Sequence, residues 1–389
     1  MNKKVAMTGN SAAAAGAALC RPDLIAAYPI TPQSSVVESL AEKVANGEID
    51  SRMIQVESEH SAMSVVQGAA AAGGRVFTAT SAQGLALMFE PYFRMSTLRM
   101  PMVMAIATRE MTSPETVWSG HQDAIAVRDA GWIQIFCEDN QEIMDMIIQG
   151  YRLTEDPEIL IPVNVCYDGF YLSHLVEGVE VPAQEQVDAF LPPVSFNHAV
   201  LDPSNPFALD PLTAGPILMQ YRKSHLEAMG RVQEKLEQTD AEFARLLGRS
   251  HGGAVEAYRI EDAEVVLVTM GAATGTGREA VDMAREKGVR AGLLKIRLLR
   301  PFPAKAVAGA LEGKKAFAVV DRNVCFGWNS GTVYMEVKAA MEHLDCAHFS
   351  VIGGLGGADL SLDHLNAVLD KLEREKNAPG EKDTVWLMD

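Results

Sequence analysis

Polar residues follow four β-rich runs of the sequence, at the points where those runs end. In parallel α/β sheets, ligands bind beyond the carboxyl ends of the strands. If the four runs are strands of one sheet, their polar residues converge on one edge and form a candidate site. These residues are Thr31, Glu59, the pair Gln83 and Gly84, and Arg109.

Glu59 could exchange a proton with a bound cofactor. Residues 62–73, which follow it, are apolar and mostly small, so a helix that begins at Glu59 would enter a buried interface. A buried carboxyl group beside a cofactor can share a proton with it. The alternative is that Glu59 only supplies favourable charge at a helix N-terminus.

Arg109 could bind an anionic substrate. It ends the most apolar of the β-rich runs, where an unpaired guanidinium would be costly. A substrate carboxylate matches its two-pronged geometry. A salt bridge to Glu110 or Glu115 is the alternative.

Thr31 lies between Pro29 and Pro32, whose rings restrict the backbone there. A threonine before a proline is typical of a helix start, with the hydroxyl as the N-cap. The same hydroxyl could also face a ligand, so the sequence leaves both interpretations open.

The composition indicates a globular protein with more than one domain. The chain has 389 residues, 48% hydrophobic and 22% charged, and this length usually gives about two or three domains. Its net charge of -17 argues against binding nucleic acid or an anionic membrane. No apolar run approaches the roughly 20 residues of a membrane span. The apolar stretch in the first ten residues, MNKKVAMTGN, is too short for a secretory signal. A cytoplasmic protein is expected.

The five cysteines and nine histidines lack the spacing of a cluster or metal site. No two cysteines form a CxxC pair, and an iron–sulfur cluster needs about four thiolates. No HExxH motif is present. We expect no disulfide framework, no cluster and no metal site built by this chain alone.

The sequence predicts an α/β fold, with a doubly wound parallel sheet followed by a smaller α/β domain. Near-continuous apolar runs alternate with helical stretches before residue 170 and again after about residue 260. Residues 175–255 are rich in Pro, Asp and Asn and indicate an extended connector that leads into a long helix, about 214–248. The predicted domains are 1–175, the connector with its helix at 176–258, and 259–389. The predicted strands are 24–30, 53–58, 75–81, 101–109, 132–138, 159–167, 264–271, 289–299 and 315–322.

Three glycine-containing segments could bind phosphate groups. GAATGTG (271–277) follows a strand and opens a helix, as a dinucleotide loop does, but its spacing is not GxGxxG. It leaves a non-catalytic, nucleotide-binding scaffold as an alternative function. GGLGG (353–357) lacks the Lys-Ser/Thr of a phosphate loop, which favours a tight turn. Asp168 and Gly169 are not part of a Gly-Asp-Gly motif with a downstream Asn pair, the pattern that would hold a magnesium diphosphate.

Several segments occur together, in order and at suitable spacings: YPITPQ (28–33), ESEHSA (57–62), SAQGL (81–85), Thr108-Arg109, GHQDAIAVRDAGWIQ (120–134) and DGFYLSH (168–174). As a set they resemble the α subunit of the 2-oxoacid:ferredoxin oxidoreductases, a thiamine-diphosphate family. VVDRN (319–323) and GGLGGADLS (353–361) resemble its transketolase C-terminal-like domain. The likeness covers nearly the whole chain and implies a pyrimidine-type thiamine-diphosphate-binding first domain.

The resemblance implies conversion of a 2-oxoacid and coenzyme A to acyl-CoA, carbon dioxide and two electrons for ferredoxin. Glu59 matches the glutamate that bonds the thiamine aminopyrimidine. Thr31 and Arg109 match the residues that hold the substrate carboxylate, and the loop 110–123 would close the pocket. The further residues assigned on this basis are Pro29, Gln83 and Gly84 for the cofactor, and Gln122 and Asp123 for the substrate.

The resemblance also implies partner chains. A β subunit would carry the diphosphate–Mg²⁺ half of the site and a [4Fe-4S] cluster, and γ and ferredoxin-like δ subunits would complete the complex. Thr31 stands where oxalate-specific members carry a cation, which argues against a dicarboxylate and favours pyruvate. FEPYFRMSTLRMP (89–101) is rich in Met and aromatic residues. It indicates either core packing or a pocket widened for an arylglyoxylate such as phenylglyoxylate.

Overall fold

The computed structural model describes residues 3–194 and 200–388, and the first half of the chain folds around one parallel sheet. Its elements are β1 (Lys3–Thr8), α1 (Gly9–Leu19), β2 (Leu24–Ala27), α2 (Ser34–Ala45), β3 (Arg52–Gln55), α3 (Glu59–Ala71), β4 (Val76–Thr80), α4 (Ala82–Leu87), α5 (Phe89–Thr97), β5 (Val103–Thr108), α6 (Gln122–Ala126), β6 (Ile133–Phe136), α7 (Asn140–Thr154), β7 (Val163–Asp168), β8 (Val176–Val181) and α8 (Gln184–Phe190). Strands β2 to β7 are parallel, in the order β6-β7-β5-β4-β2-β3. This confirms the predicted doubly wound sheet.

The strand β5 shows why its sequence is apolar without interruption. Val103 and Ala105 point into a core shared with α1 and α7, whereas Met104 and Ile106 point into a second core shared with α3. All six residues of the strand are buried. Because helices cover both faces of the sheet, neither face of a central strand can be polar. The polar residues are therefore confined to the strand ends.

The segment after β7 differs from the extended connector that was predicted. β8 pairs antiparallel with β1 in a separate two-stranded sheet. Helix α8 packs through Phe190 against Phe243, with ring centroids 5.3 Å apart, inside the core of the first sheet. The acidic, proline-rich sequence hid these elements because their apolar positions are few.

The second half of the chain builds a second seven-stranded sheet. Its elements are α9 (Pro216–Leu247), β9 (Val255–Tyr258), β10 (Val265–Thr269), α10 (Ala273–Glu286), β11 (Ala291–Ile296), β12 (Leu298–Arg300), α11 (Ala304–Leu311), β13 (Ala316–Asp321), α12 (Thr332–Ala340), β14 (Ala347–Ile352), α13 (Leu362–Glu375), β15 (Gly380–Glu381) and β16 (Val385–Trp386). The sheet order is β15-β14-β13-β10-β11-β9, and β16 also pairs with β14. The long helix agrees with the predicted one.

The predicted strand 289–299 is in fact two strands that belong to different sheets. β11 lies in the second sheet, but β12 pairs antiparallel with β6 and becomes the edge of the first. The chain crosses between the sheets at Arg297, whose N–H donates to the carbonyl of Ala254 at 3.0 Å. A continuous apolar run gives no sign of such a crossing, so the sequence could not reveal it.

A buried ion cluster joins the two halves of the chain. Glu142 of α7 accepts hydrogen bonds from Lys295 Nζ at 2.8 and 2.9 Å and from Arg297 Nε, and all three side chains are 1% exposed. Burial alone would raise the pKa of Glu142, but the charges of Arg297 and Lys295 hold it well below its ordinary value. The carboxylate therefore stays ionised in the folded chain.

Replacing Glu142 by Gln should destabilise the folded chain. Two buried cations would lose their shared anion, and breaking a buried ion pair costs about 3 kcal/mol or more. We expect a loss of about 3 kcal/mol in the free energy of unfolding at pH 7, measured by denaturant titration. Because the folded-state pKa is depressed, this stabilisation is present above the unfolded pKa and is lost as the pH falls below it. Glu48→Gln, in an exposed pair with Lys43, should show no measurable loss; equal effects would contradict the prediction.

Candidate functional site

Arg109 and Thr31, predicted to act together, lie in contact at the end of the first sheet. The Arg109 side chain is 4% exposed, and its Nη1 donates to the backbone carbonyl of Thr31 at 2.9 Å. Its Nε donates to the carbonyl of Thr116 at 2.7 Å, and Nη2 lies 3.3 Å from Glu115 Oε1. The predicted alternative of a Glu115 salt bridge is thus present together with the Thr31 contact.

Thr31 is not the N-cap of a helix, so that interpretation was wrong. Helix α2 begins at Ser34 with Gln33 as its N-cap residue. A turn separates strand and helix, because the N–H of Gln33 donates to the carbonyl of Ile30 at 2.9 Å. Thr31 lies in that turn and is exposed at the edge of the site, as is Pro29.

Glu59 is a buried carboxyl group at the first position of α3. The Ser58 hydroxyl caps this helix by accepting the N–H of Ser61 at 3.2 Å. The Glu59 residue is 5% exposed, and burial raises its pKa. Apart from its own backbone N–H, no group among the described residues offsets this burial. Burial of a carboxyl group with no cation beside it favours the protonated form, so Glu59 holds its proton to a higher pH than an exposed glutamate does.

Gly84 forms the wall against which Glu59 lies. A Cβ at position 84 would stand 2.6 Å from Glu59 Oε1 and 2.5 Å from Thr80 Oγ1. Only glycine leaves room for the carboxyl group there, so the structure brings together two residues predicted from separate segments. Thr80 Oγ1 is itself buried without a hydrogen-bond partner.

Gln83 holds the loop that follows β5. Its Nε2 donates to Thr112 Oγ1 and to Glu115 Oε1, both at 3.2 Å. Glu115 therefore lies between Gln83 and Arg109 and folds the loop 110–121 over the guanidinium. This loop is the part of the first half that covers the predicted substrate site.

Gln122 and Asp123 lie behind this site rather than at its surface. Gln122 Oε1 accepts the N–H of Val324 from the second half of the chain at 3.1 Å. Asp123 is 1% exposed, and its carboxylate accepts the backbone N–H groups of Ala82, Arg109 and Ala124. Burial raises the pKa of Asp123 to about 7.

A buried cluster around Asp168, which the sequence did not predict, fixes the loop from behind. Asp168 accepts hydrogen bonds from His121 Nε2 at 3.0 Å, Ser119 Oγ at 3.1 Å, Ala272 N at 2.8 Å and Arg322 Nη1. Burial alone would raise the pKa of Asp168, but the Arg322 and His121 charges hold it well below its ordinary value. The sequence signal was a charged residue at the carboxyl end of each strand: Asp168 ends β7 and Arg322 follows β13.

The same cluster explains the glycine-rich segment 271–277. Gly271 has a φ of 68°, and a Cβ there would lie 2.5 Å from Asp168 Oδ2. The N–H of Ala272, which would face a phosphate in a nucleotide loop, donates to the Asp168 carboxylate instead. A side chain of the protein thus fills the position that the scaffold hypothesis reserves for a nucleotide.

The segment GGLGG is a tight turn, as the sequence favoured, and it supports the loop. Gly357 has a φ of 81°, and its N–H donates to the carbonyl of Ser119 at 3.0 Å. A Cβ on Gly357 would stand 2.6 Å from the Cβ of Trp118. The hydroxyl of Tyr171 donates to the Gly357 carbonyl at 2.8 Å.

In residues 3–194 and 200–388, no group of three or more His, Cys, Asp or Glu side chains is arranged to hold a metal ion. None of the helices in these ranges combines the length and apolar character that crossing a membrane requires.

Family models match both halves of the chain. The model for the thiamine-diphosphate-binding region of pyruvate flavodoxin/ferredoxin oxidoreductases matches residues 15–241. The model for core domain II of pyruvate:ferredoxin oxidoreductase matches residues 263–365.

Characterised proteins of similar length share more than two fifths of their residues with this chain. The α subunit of the NADH-dependent phenylglyoxylate dehydrogenase of Aromatoleum evansii is 45% identical, over 99% of this chain and 95% of that protein. The pyruvate synthase subunit PorA of Methanocaldococcus jannaschii is 44% identical, over 98% of this chain and 97% of that protein. PorA of Pyrococcus furiosus is 41% identical, over 95% of this chain and 93% of that protein.

Solved structures share the fold. A 2-oxoglutarate:ferredoxin oxidoreductase from Magnetococcus marinus superposes with a TM-score of 0.73 at 19% identity. The match covers 96% of this chain but 66% of that longer chain. A split-gene transketolase superposes with a TM-score of 0.55 at 14% identity, over 93% of this chain and 97% of that one. These likenesses show the shared fold, and together with the family model over residues 15–241 they give a thiamine-diphosphate-binding-type sheet followed by a transketolase C-terminal-like domain.

The family models span most of the chain, and the relatives are alike over almost its whole length. Both kinds of match agree with the segments around Glu59, Gly84 and Arg109 that meet at the sheet edge. The chain therefore belongs to the 2-oxoacid:ferredoxin oxidoreductase family, as an α subunit of an oxidoreductase complex.

Proposed function

We propose that this chain supplies Glu59 and Arg109 to a complex that oxidatively decarboxylates a 2-oxoacid, transfers the acyl group to coenzyme A and reduces ferredoxin. The observation that carries the proposal is the Glu59 carboxyl, which is 5% exposed and has no cationic partner within residues 3–194 and 200–388, at the same sheet edge as Arg109. A proton donor and an anion-binding group at one edge are what decarboxylation of a 2-oxoacid requires.

The residues present fit the pyrimidine half of thiamine diphosphate. Glu59 would hold a ring nitrogen through its carboxyl group, and Gly84, which has no side chain, leaves room for that carboxyl group. When bound, the cofactor supplies the carbanion chemistry and the electron sink for decarboxylation. Arg109 would bind the substrate carboxylate, and the loop 110–121 would exclude water from it. Glu115 must then leave the guanidinium, because the two carboxylates compete for the same donor.

A partner β subunit completes the proposed site. Leu87 and Phe89, just beyond Gly84, are 54% and 47% exposed, and Tyr28 on the other side is 39% exposed. Such apolar side chains around a buried carboxyl indicate a face that another chain covers. We assign to that chain the Mg²⁺–diphosphate half of the site and a [4Fe-4S] cluster, with γ and ferredoxin-like δ subunits beyond it. A cytoplasmic location suits this chain, whose five cysteines are unpaired.

Pyruvate is the substrate that we propose, and phenylglyoxylate is the second candidate. The segment 89–101, in which a widened pocket could have lain, packs mainly as core. Tyr92 is fully buried and stacks on Trp132 at 4.3 Å, and Met95 and Met100 are buried with it. The relative from Aromatoleum evansii, at 45% identity, is what favours phenylglyoxylate.

A substrate panel on the purified complex tests the proposed function. Pyruvate, phenylglyoxylate, 2-oxoglutarate and oxalate are each supplied with coenzyme A, and reduction of ferredoxin is measured. We expect the highest kcat/KM for pyruvate and the lowest for oxalate, because Thr31 offers no second cation. A preference of tenfold or more for phenylglyoxylate would select the second candidate. Absence of thiamine diphosphate and of any 2-oxoacid oxidation would contradict the proposal.

A further inference from the structure

The buried carboxylate of Asp123 ties together two walls of the candidate site. Its Oδ2 accepts the backbone N–H of Ala82 at 2.8 Å and that of Arg109 at 3.0 Å. Its Oδ1 accepts the N–H of Ala124 at 2.7 Å. One oxygen atom therefore bridges the start of α4 and the end of β5, two segments that are otherwise separate in the sequence.

The backbone at Ala82 shows that this bridge acts as a constraint. Its φ is 43°, in the left-handed region that residues with a Cβ avoid. This conformation starts α4 so that Gln83 bonds Glu115 and Gly84 lies against Glu59. An unfavourable backbone conformation persists only where its surroundings enforce it. The hydrogen bond to Asp123 is a direct means of enforcing it.

A purely local role does not account for the arrangement. Asp123 lies in the first turn of α6, where a carboxylate that accepts the N–H of Ala124 would suffice to support the helix. The bonds to Ala82 and Arg109 instead span 41 and 14 residues of sequence. Both N–H groups donate to the same oxygen of Asp123, and each belongs to a different half of the predicted site.

We propose that Asp123 is a positioning residue for the 2-oxoacid reaction. By holding Ala82 and Arg109 on one oxygen atom, its carboxylate fixes the Arg109 guanidinium relative to the Glu59 carboxyl and its Gly84 wall. This consequence for catalysis rests on the proposed function, whereas the bridging role in the folded chain does not. Asp123 acts through the two backbone segments and does not contact the substrate.

The test compares Asp123→Ala with Asp321→Ala in the assembled complex. Asp321 is a matched control: it is also 1% exposed, accepts the N–H groups of Val333 and Tyr334 at 2.9 and 3.0 Å, and lies in the second domain. Burial raises the pKa of Asp321 to about 7, as it does for Asp123. Alanine removes both carboxylate oxygens at either position, so both variants leave buried N–H groups without their acceptor.

Two measurements separate positioning from general stability. We expect Asp123→Ala to raise the KM for the 2-oxoacid at least tenfold with a smaller effect on kcat. We also expect hydrogen exchange at the Ala82 and Arg109 amides to become at least tenfold faster. Asp321→Ala should lower the melting temperature comparably but leave the KM and these two amides unchanged. Equal changes of KM in both variants, or a KM within twofold of wild type in Asp123→Ala, would overturn the proposal.

A second substitution guards against misfolding of the first variant. Glycine adopts a φ of 43° without strain, so Ala82→Gly in the Asp123→Ala background should recover part of the lost affinity. No recovery, together with unchanged exchange at Ala82 and Arg109, would overturn the proposal. If the wild-type complex oxidises no 2-oxoacid, the proposed function fails, but the exchange measurement still decides whether Asp123 holds the two segments.

Discussion

Replacing Glu59 by Gln is expected to reduce the kcat of the assembled complex by about 10³-fold, within the range by which general acid–base groups accelerate reactions. Gln has nearly the same shape as Glu and would still fit against Gly84, so the fold and the assembly with the β subunit should be retained. The amide cannot exchange a proton, which removes the property that burial of this carboxyl has tuned. Steady-state reduction of ferredoxin measures the effect.

The control for this prediction is Glu57→Gln, two residues earlier in the same segment. Glu57 is exposed, and its carboxylate accepts a hydrogen bond from the Ser61 hydroxyl. This variant should keep activity within about twofold of wild type, because an exposed group of this kind contributes little to a buried reaction site. If Glu59→Gln also stayed within that range, the nucleotide-binding scaffold would become the better hypothesis.

The candidate site was predictable to the extent that it lies at strand ends. Parallel strands end at one edge of a sheet, so Glu59, which begins α3 after β3, and Arg109, which follows the buried strand β5, lie at the same edge in the structure. The contact of Arg109 with Thr31 spans 78 residues. It could be anticipated only because parallel topology places such ends together.

The support behind the site was not predictable in the same way. Arg322 follows a strand of the other sheet and bonds Asp168, which lies 154 residues earlier in the chain. Neither hydrophobic periodicity nor a sequence motif predicts which ends of two sheets will face each other. Likewise β12 continues the apolar pattern of β11 but joins the first sheet. Local patterning determines burial, whereas the pairing of two domains depends on buried ions whose partners are distant in the chain.

This support gives the second domain a direct effect on the first. Through Arg322 and Gly357 it holds Asp168, Ser119 and the loop that covers Arg109. The loop that covers Arg109 is therefore fixed at its far end by residues of the second domain. A family resemblance centred on the thiamine-binding sheet explains the chemistry, but the second domain positions the loop.

Replacing Arg109 by Met should lower kcat/KM for the 2-oxoacid by about 10³-fold, which corresponds to about 4 kcal/mol of lost binding to the reacting anion. The main effect should be on KM, because the substrate carboxylate would lose its cation. Arg109→Lys should recover only part of the loss, since an ammonium group keeps the charge but not the planar fork. Kinetics over a range of 2-oxoacid concentrations measure both variants.

A second buried arginine provides the control. Arg75 is 6% exposed and pairs through Nε and Nη2 with Glu155 at 2.6 and 2.8 Å, remote in sequence from the loop 110–121. Arg75→Lys should lower stability through loss of this two-point pair and leave the KM unchanged. If Arg75→Lys and Arg109→Lys raised the KM equally, loss of a buried guanidinium as such would explain the effect. The KM effect of replacing Arg109 would then come from a disturbed fold, and the proposal that Arg109 binds the substrate carboxylate would be contradicted.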